Sequence, residues 1–268
     1  MNVKKDRMNS IQDFKQVHIS SSIRQYFGEG FKQLWGLEEY SDPNKPAVFF
    51  GMGAEQDLEI LKAHNSYSII VWAGGEFETP LIREVSIIPK TIQIGYGWIS
   101  KKLKELQIKH TEIYLPVKDY SRFEPTPLGD KIYVYRGIHG NREGYFKWNS
   151  IIKPLIKHYG ENNIIFTEKQ PLKTLIEDYY NNCFVYVKPN ERGGSTAMWE
   201  LGLMGRRVIA NNQGRAPHVL NYNSLQDIID LIDKEADRIG TIQKDLSQSV
   251  RETLIFSKDW LNLSYYGK

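Results

Sequence analysis

The sequence predicts an α/β protein with two lobes, each built on a mostly parallel sheet. From Pro46 onward, short apolar runs alternate with helical patterns, which is typical of strand-helix-strand units. Residues 122–130, RFEPTPLGD, contain two prolines and a glycine without any hydrophobic period, as an interdomain connector would. The 268 residues are enough for two lobes of about 120 residues each. We therefore expect a first lobe over residues 1–122 and a second over residues 130–245.

The sequence of the first lobe predicts alternating strands and helices. AVFFGMG (47–53) predicts a buried strand that ends in a glycine turn, and YSIIVWAGGE (67–76) a second strand with its own glycine turn. EQDLEILKAHN between them has the period of an amphipathic helix. A weaker strand at 92–94, the helix ISKKLKELQIK and the strand EIYLPV complete the pattern. The first 40 residues are less regular, and we interpret IQDFKQVHI and SIRQYFGEGFKQLW as helices.

The second lobe opens with the strand KIYVYRG (131–137), which is followed by a helix over 146–158 and the strand NNIIF. Pro171 then starts the helix LKTLIEDYYNN, and FVYVKP is the next strand. Gly205 is placed as the C-terminal cap of the following helix, before the strand RRVIA and the amphipathic helix SLQDIIDLIDKEADRI. The final residues, 246–268, fit a helix.

Composition excludes several classes of protein. Hydrophobic residues make up 41% and charged residues 25% of the chain, which is the average of globular domains and indicates neither disorder nor a fibre. A net charge of +3 without long basic runs does not predict a nucleic-acid partner. The single cysteine, Cys183, lies in an apolar run, which fits the core of a protein in a reducing compartment. With no signal peptide or membrane span in the pattern, we expect a cytoplasmic protein.

One stretch of the sequence, CFVYVKPNERGGSTAMWELGLMGRRVIANN (183–212), has the pattern of a chemical site. An apolar strand leads through Gly193, Gly194, Ser195 and Thr196 directly into a short helix. The first N–H groups of a helix have no internal partner and carry the positive end of its dipole, so this turn is suited to binding a phosphate. Glu200 follows one turn later among apolar neighbours, which predicts a buried carboxylate that needs a partner.

The motif and the order of elements resemble the GT-B glycosyltransferases, and specifically the retaining family 4, which uses nucleotide-sugar donors. The resemblance is strongest over 130–235 and weaker over 47–125. It implies two Rossmann-like lobes whose parallel sheets face a central cleft. The first lobe would take the acceptor and the second the donor. The resemblance also implies a C-terminal helix, here 246–268 with Trp260, that crosses back to the first lobe.

Several donor-binding residues follow from the resemblance. The family has a glutamate before two glycines and a second glutamate eight positions after the first. Gly193, Gly194 and Glu200 match this pattern, and either Glu191 or Arg192 stands in the first acidic position. In the family these carboxylates bind the donor sugar and the ribose.

Cations for the diphosphate are the second group of candidates. The family has an arginine after the first strand of the second lobe and a lysine at the start of the next helix. Lys147 fits the lysine, and the arginine is either Arg136 by its place after the strand or Arg142 by its spacing of five. We expect the nucleobase to meet the backbone near Lys169. Because fixed cations and amides stabilise the departing diphosphate, neither a metal ion nor another cofactor is predicted.

The acceptor side is assigned to the glycine turns of the first lobe. Gly51 and Gly53 form one turn, and Gly74, Gly75 and Glu76 form the other. His64 is a further candidate, although a histidine at the end of an amphipathic helix is usually a partly exposed surface residue. The turn after Gly53 has Gln56 where a dinucleotide fingerprint needs its third glycine, which argues against a nicotinamide dehydrogenase.

The sequence therefore predicts a glycosyltransferase that moves a sugar from a UDP- or GDP-linked donor to a carbohydrate, lipid or protein acceptor, with retention. Two alternatives remain open: a nucleotide-sugar epimerase of the same fold, and a relative that binds nucleotide sugars without turnover. The identity of the sugar, the acceptor and the oligomeric state do not follow from the sequence.

Overall fold

The computed structural model describes residues 13–73, 81–136, 147–168, 170–189, 195–211 and 216–266. The chain divides into two α/β units, one formed by residues 1–119 with 255–268 and the other by residues 120–254. Each unit contains one sheet in which every strand pairing is parallel. The predicted α/β class with two parallel sheets is confirmed.

The first unit contains a six-stranded sheet in the order β2-β1-β3-β4-β5-β6. Its strands are β1 Gln16–Ile19, β2 Glu38–Glu39, β3 Ala47–Phe50, β4 Ser68–Val71, β5 Thr91–Gly95 and β6 Thr111–Glu112. Its helices are α1 Ser21–Trp35, α2 Glu55–Lys62, α3 Leu81–Ser86 and α4 Gly97–Glu105. Residues 16–19 of the segment IQDFKQVHI, which was interpreted as a helix, form β1, and this strand lies between β2 and β3. That interpretation was wrong because a strand of four residues is too short to show a period.

The central strand β3 is buried on both faces of this sheet, which explains why its residues are continuously apolar. Val48 and Phe50 face a core shared with α1 and the C-terminal segment, whereas Ala47 and Phe49 face a core shared with α2, α3 and α4. Alternate residues of a strand point to opposite faces, so both sets of side chains face an apolar core when the strand is covered on both sides.

The second unit contains a five-stranded sheet in the order β11-β10-β9-β7-β8. Its strands are β7 Lys131–Tyr135, β8 Ile164–Thr167, β9 Cys183–Val187, β10 Arg207–Ile209 and β11 Val219–Leu220. Its helices are α5 Lys153–Tyr159, α6 Leu172–Thr174, α7 Ser195–Leu203, α8 Leu225–Ala236 and α9 Lys244–Thr253. A π-helical turn, Trp148–Ile152, precedes α5, and a second, Leu175–Tyr180, follows α6. Cys183 is fully buried, as its apolar run predicted.

The C-terminal residues are shared between the units, which corrects the prediction that 246–268 form one helix on the first lobe. Helix α9 lies in the second unit, where it packs against α7 and where the Ser247 hydroxyl donates to the Leu203 carbonyl. Residues from Ile255 onward join the first unit in two 3₁₀ turns. There the Trp260 ring meets Trp35 edge-on, with 5.1 Å between the ring centroids.

Candidate functional site

The order of the second sheet reverses between β7 and β9. The chain runs from β7 to β8 on one side and then returns to place β9 on the other side of β7. In open parallel sheets, ligands bind outside the carboxyl ends of the strands where the order reverses in this way. Arg136 follows the carboxyl end of β7, and Lys188 and Pro189 follow that of β9. The two predicted donor-binding segments therefore begin at this switch point.

Part of the predicted site lies outside the described residues. These candidates are Gly74, Gly75, Glu76, Arg142, Lys169, Glu191, Arg192, Gly193 and Gly194. The choice between Glu191 and Arg192, and that between Arg142 and Arg136, consequently stay predictions. The described candidates are Ser195, by its backbone only, with Thr196, Glu200, Lys147, Arg136, Gly51 and Gly53.

Helix α7 begins at Ser195, immediately after the predicted glycine turn, as expected for a phosphate-binding helix. It is apolar nearly all round: Met198, Leu201 and Leu203 are buried. Gly205 ends it with a φ of 86°, a left-handed conformation that favours glycine, so its predicted role as a cap is confirmed. Contacts with α9 and β10 pack this helix against the rest of the second unit.

Glu200 is buried within α7, with only 2% of its surface exposed, as its apolar neighbours predicted. The Tyr180 hydroxyl donates a hydrogen bond to its Oε2 atom at 2.6 Å. Burial, followed by the charge of Glu200, raises the pKa of Tyr180 well above its ordinary value, so this phenol stays a donor. The pairing supplies a partner that a buried carboxylate requires.

Lys147 stands at the start of the π-helical turn before α5. Its backbone has a φ of 49°, and its carbonyl accepts hydrogen bonds from the amides of Ile151 and Ile152. The Lys147 ammonium lies 5.9 Å from the centroid of the Tyr222 ring. The Tyr222 hydroxyl in turn donates to the carbonyl of Pro189 at 3.2 Å. Because Pro189 is the last described residue before the glycine turn, Tyr222 connects the predicted diphosphate lysine with the start of the predicted phosphate loop.

Arg136 is held by an ion pair that the sequence did not predict. Its Nη2 donates to Glu168 Oε1 at 2.8 Å, while its own amide extends the pairing of β7 with β8. The guanidinium side chain is 33% exposed and that of Glu168 is 56% exposed. Arg136 therefore has an ion-pair partner within the second unit, and we favour Lys147 as the cation for a diphosphate.

A close contact beneath α7 was also missed by the sequence reasoning. A Cβ atom at Gly202 would lie 2.6 Å from Cδ2 of His218, so glycine is needed there for packing. The His218 ring also lies 5.1 Å from that of Trp199. Burial lowers the pKa of His218 to about 3, outweighing a backbone contact with Met198, so this ring packs under the helix as a neutral group. No pattern of residue spacing in the sequence indicates that His218 packs against Gly202 and Trp199.

In the first unit, Gly51 and Gly53 form the turn between β3 and α2, beside β1. Gly51 has a φ of 72°, and a Cβ at Gly53 would lie 2.4 Å from the Ser22 hydroxyl oxygen, so both positions favour glycine. The Gly53 amide donates to the Ser20 hydroxyl at 3.3 Å. A cavity of about 450 Å³ opens here within the first unit. Its lining residues are Gly53, Ala54, Glu55, Leu58, Glu59, Leu81 and Glu84.

Two histidines of the first unit have structural partners. His64 is only 9% exposed, and its ring nitrogens lie 3.3 Å from the Tyr40 hydroxyl and 3.1 Å from the Tyr67 carbonyl. The interpretation of His64 as a partly exposed surface residue was therefore wrong, because its ring contacts Tyr40, Phe49 and Tyr67. His18 Nε2 lies 2.8 Å from Asp57 Oδ1, and this pair was not predicted because β1 was not recognised as a strand.

The His18–Asp57 pair predicts an acid-dependent loss of stability. Burial raises the pKa of Asp57, but hydrogen bonds from His18, Ser20 and the Ala54 amide outweigh it, so the pKa lies below its ordinary value. A carboxyl whose folded pKa is depressed adds stability above its unfolded pKa, about 3.9, and this stability is lost as pH falls through the folded value. In urea unfolding, the stability difference between wild type and Asp57→Asn should shrink between pH 6 and pH 3. A difference that stays constant would contradict this assignment.

The described residues contain no helix that combines the length and apolar character needed to cross a bilayer. Within the same ranges, no three His, Cys, Asp or Glu side chains lie together as ligands for a metal ion.

The fold and the site define an α/β protein with two parallel-sheet units and a helix N-terminus beside the switch point of the second sheet. No protein-family model matches the chain, and no curated protein matches its sequence. Among solved structures, it is similar to sucrose-phosphate synthase from Thermosynechococcus elongatus, with 17% sequence identity over 87% of this chain and 68% of that chain and a TM-score of 0.43. A similarity of this size does not assign an activity to this chain.

Proposed function

We propose that this protein is a glycosyltransferase that takes a sugar from a nucleotide-diphosphate donor bound at the carboxyl edge of the second sheet. The observation that carries the proposal is the position of the two candidate segments. The turn before α7 and the segment that ends at Lys147 leave β9 and β7, the neighbouring strands on either side of the switch point. The resemblance of residues 193–200 to the family 4 motif supports a nucleotide sugar as the ligand.

The diphosphate is proposed to bind the first amides of α7 and the Lys147 ammonium. The amides have no partner within the helix, and Lys147 begins a helical turn of its own. As the bond between the anomeric carbon and the phosphate oxygen breaks, negative charge grows on the diphosphate. Groups already held in place stabilise that charge without reorganising. The packing of α7 and the contact of Lys147 with Tyr222 support this preorganisation.

Glu200 is proposed to accept hydrogen bonds from the ribose hydroxyls of the donor. A carboxylate is an acceptor with about four lone-pair sites, which is the chemistry that a diol requires. Holding the ribose fixes the nucleotide along the crevice and orients the sugar.

The proposed reaction exchanges one bond at the anomeric carbon for another. The bond to the phosphate oxygen breaks, and its electron pair leaves with the nucleoside diphosphate. The acceptor hydroxyl oxygen forms the new bond on the same face, and its proton passes to the departing phosphate. This course retains the anomeric configuration and uses neither a protein nucleophile nor a metal ion. We place the acceptor in the first unit, at the cavity lined by Gly53.

The first test is stabilisation by nucleotide. At a concentration a hundredfold above its Kd, a ligand that binds only the folded state adds about 2.7 kcal/mol, so UDP or GDP should raise the Tm by roughly 5 °C or more. Scanning fluorimetry with UDP, GDP, UMP and GMP at millimolar concentration measures this. The diphosphates should exceed the monophosphates, because α7 and Lys147 contact the phosphates. If no nucleotide raises the Tm, the proposal is rejected.

The stabilising nucleotide then selects the donors for an activity test. Transfer to an acceptor, or slow release of sugar to water, supports the glycosyltransferase. Conversion of the donor to an isomeric nucleotide sugar without acceptor would identify an epimerase. Binding without turnover across a broad panel would identify a binding protein.

A further inference from the structure

A second cavity of the first unit lies at the amino edge of its sheet. It has a volume of about 480 Å³ and is lined by the first residues of β5, the segment between α4 and β6, the end of α3 and Tyr266. Cavities that bind small molecules have volumes of about 300 to 1,000 Å³. Gly53, which lines the proposed acceptor cavity, follows the carboxyl end of β3 at the opposite edge. The second cavity is therefore separate from the position proposed for the acceptor.

The edge of β5 that faces this cavity presents backbone donors. β6 pairs with β5 only from Ile94 onward, so Thr91 and Gln93 lie before its start. The carbonyl of Lys90 accepts a hydrogen bond from the amide of Ser68, in β4, at 3.0 Å. In a trans peptide unit the amide points opposite to the preceding carbonyl, so the Thr91 amide points away from β4. The Gln93 amide has the same direction because the backbone groups of a strand alternate, and both residues line the cavity.

Gln93 adds a donor from its side chain, although the residue is only 5% exposed. The indole nitrogen of Trp72 donates to its Oε1 atom at 2.7 Å. This contact fixes the orientation of the side-chain amide, because an indole nitrogen can only donate. The Nε2 atom then donates to the Thr91 hydroxyl at 3.4 Å and retains a second N–H group. A buried N–H group needs an acceptor, and a ligand in the cavity can supply one.

The lining combines a positive charge with apolar walls. Lys109 is exposed and forms no ion pair with a described residue. The described lining residues include no aspartate or glutamate. Ile92 and Tyr266 pack against the core on one face of the sheet, and Leu106 and Ile108 against the core on the other. Donors and a cation without a carboxylate favour an anion, whereas the apolar walls favour a hydrocarbon body.

We propose that this cavity binds a small organic carboxylate. The carboxylate accepts hydrogen bonds from the donors of Thr91 and Gln93 and is attracted by the Lys109 ammonium. The hydrocarbon part packs against the apolar walls, with the Tyr266 ring as a flat surface for an aromatic group. This site goes beyond the proposed function, because it requires neither a nucleotide nor sugar transfer.

The first test compares three probes that share a phenyl group and differ in the head group: phenylacetate, phenylacetamide and phenethylamine. Two-dimensional amide NMR of the full chain, titrated to millimolar concentration, gives the Kd and the location of binding. Phenylacetate should shift the amides of Thr91, Gln93 and Thr111 and bind about fivefold more tightly than phenylacetamide, since a hydrogen bond to a charged group is stronger. Phenethylamine should bind most weakly. The absence of shifts at these amides, or equal affinities of phenylacetate and phenylacetamide, would overturn the proposal.

Ile87 offers variants that leave the fold intact, because it lines the cavity and is 80% exposed. Ile87→Asp should weaken phenylacetate binding about threefold, and Ile87→Lys should strengthen it by a similar factor, as expected for an exposed charge near an anion. Neither variant should change the affinity for phenylacetamide by more than about twofold. Phenylacetate affinities that are the same in both variants would contradict an anion site.

Lys109→Met and Lys104→Met form the second pair of variants. Lys104 is also exposed but lies on α4, outside the described lining. Lys109→Met should weaken phenylacetate binding about threefold, whereas Lys104→Met should leave it within about 1.5-fold of wild type. Equal effects of the two substitutions would show that only the overall charge of the unit attracts the probe, and the assignment of Lys109 would be rejected.

Discussion

Replacing Lys147 with methionine is expected to slow sugar transfer about a hundredfold to a thousandfold, the usual effect of removing one preorganised group that stabilises transition-state charge. Methionine keeps a flexible stem of similar length that still packs on Tyr222, so the change removes mainly the ammonium. The loss should be in kcat, because the charge on the diphosphate grows as the sugar departs. Initial rates with the donor selected by the thermal screen measure it.

Lys153→Met provides the control for this variant. Lys153 is exposed on the first turn of α5, six positions after Lys147, and the same substitution there should leave the rate within about twofold of wild type. Equal rates for Lys147→Met and wild type would show that another cation serves the diphosphate. Arg142→Met would then be measured next.

Replacing Arg206 with methionine is expected to destabilise the second unit by about 3 kcal/mol. Arg206 has no exposed surface, and its guanidinium donates to the backbone carbonyls of four residues. The acceptors are those of Thr126, Pro127, Cys183 and Met204. The variant leaves buried carbonyls with fewer partners and releases the connector from the end of α7. Urea unfolding followed by tryptophan fluorescence measures the loss.

The neighbouring Arg207→Met variant tests the cause of this loss of stability. It separates the loss of the four carbonyl contacts from the general effect of removing a buried arginine. Arg207 is partly exposed and donates from Nη1 to the single carbonyl of Pro217 at 2.8 Å, so its loss should be about 1 kcal/mol. Arg206→Lys should lie between the two arginine variants, because one ammonium cannot span the same set of carbonyls. Equal destabilisation by Arg206→Met and Arg207→Met would contradict the proposed network.

The elements that the sequence predicted well are those with a strong local signal. The strands β3, β4 and β9 are continuous apolar runs followed by proline or glycine, and buried parallel strands produce this signal directly. Helix α1 also lies where a helix was predicted, although the first 40 residues have a less regular pattern. The strand β1 has only four residues and contains Gln16 and His18, whose polar atoms are satisfied by partners far along the chain. Its place in the sheet is a tertiary property.

Part of the candidate site was predicted from the sequence, and part was not. Residue types and spacing were enough to single out the turn before α7, the burial of Glu200 and the cap at Gly205. The partners were not predictable, since Tyr180 lies 20 residues before Glu200 and Glu168 lies 32 residues after Arg136. Only the path of the chain through β7, β8 and β9 brings such groups together.

The sequence by itself determined the α/β class with its two parallel sheets, the burial of Glu200 and the helix cap at Gly205, because these depend on hydrophobic period and on the conformations that glycine allows. The tertiary structure alone decided which strand lies beside which, and so placed the switch point between β7 and β9. It also decided which buried polar groups pair, such as Tyr180 with Glu200 and Arg206 with the connector. Pairing depends on distances between residues far apart in the chain, and no local pattern contains that information.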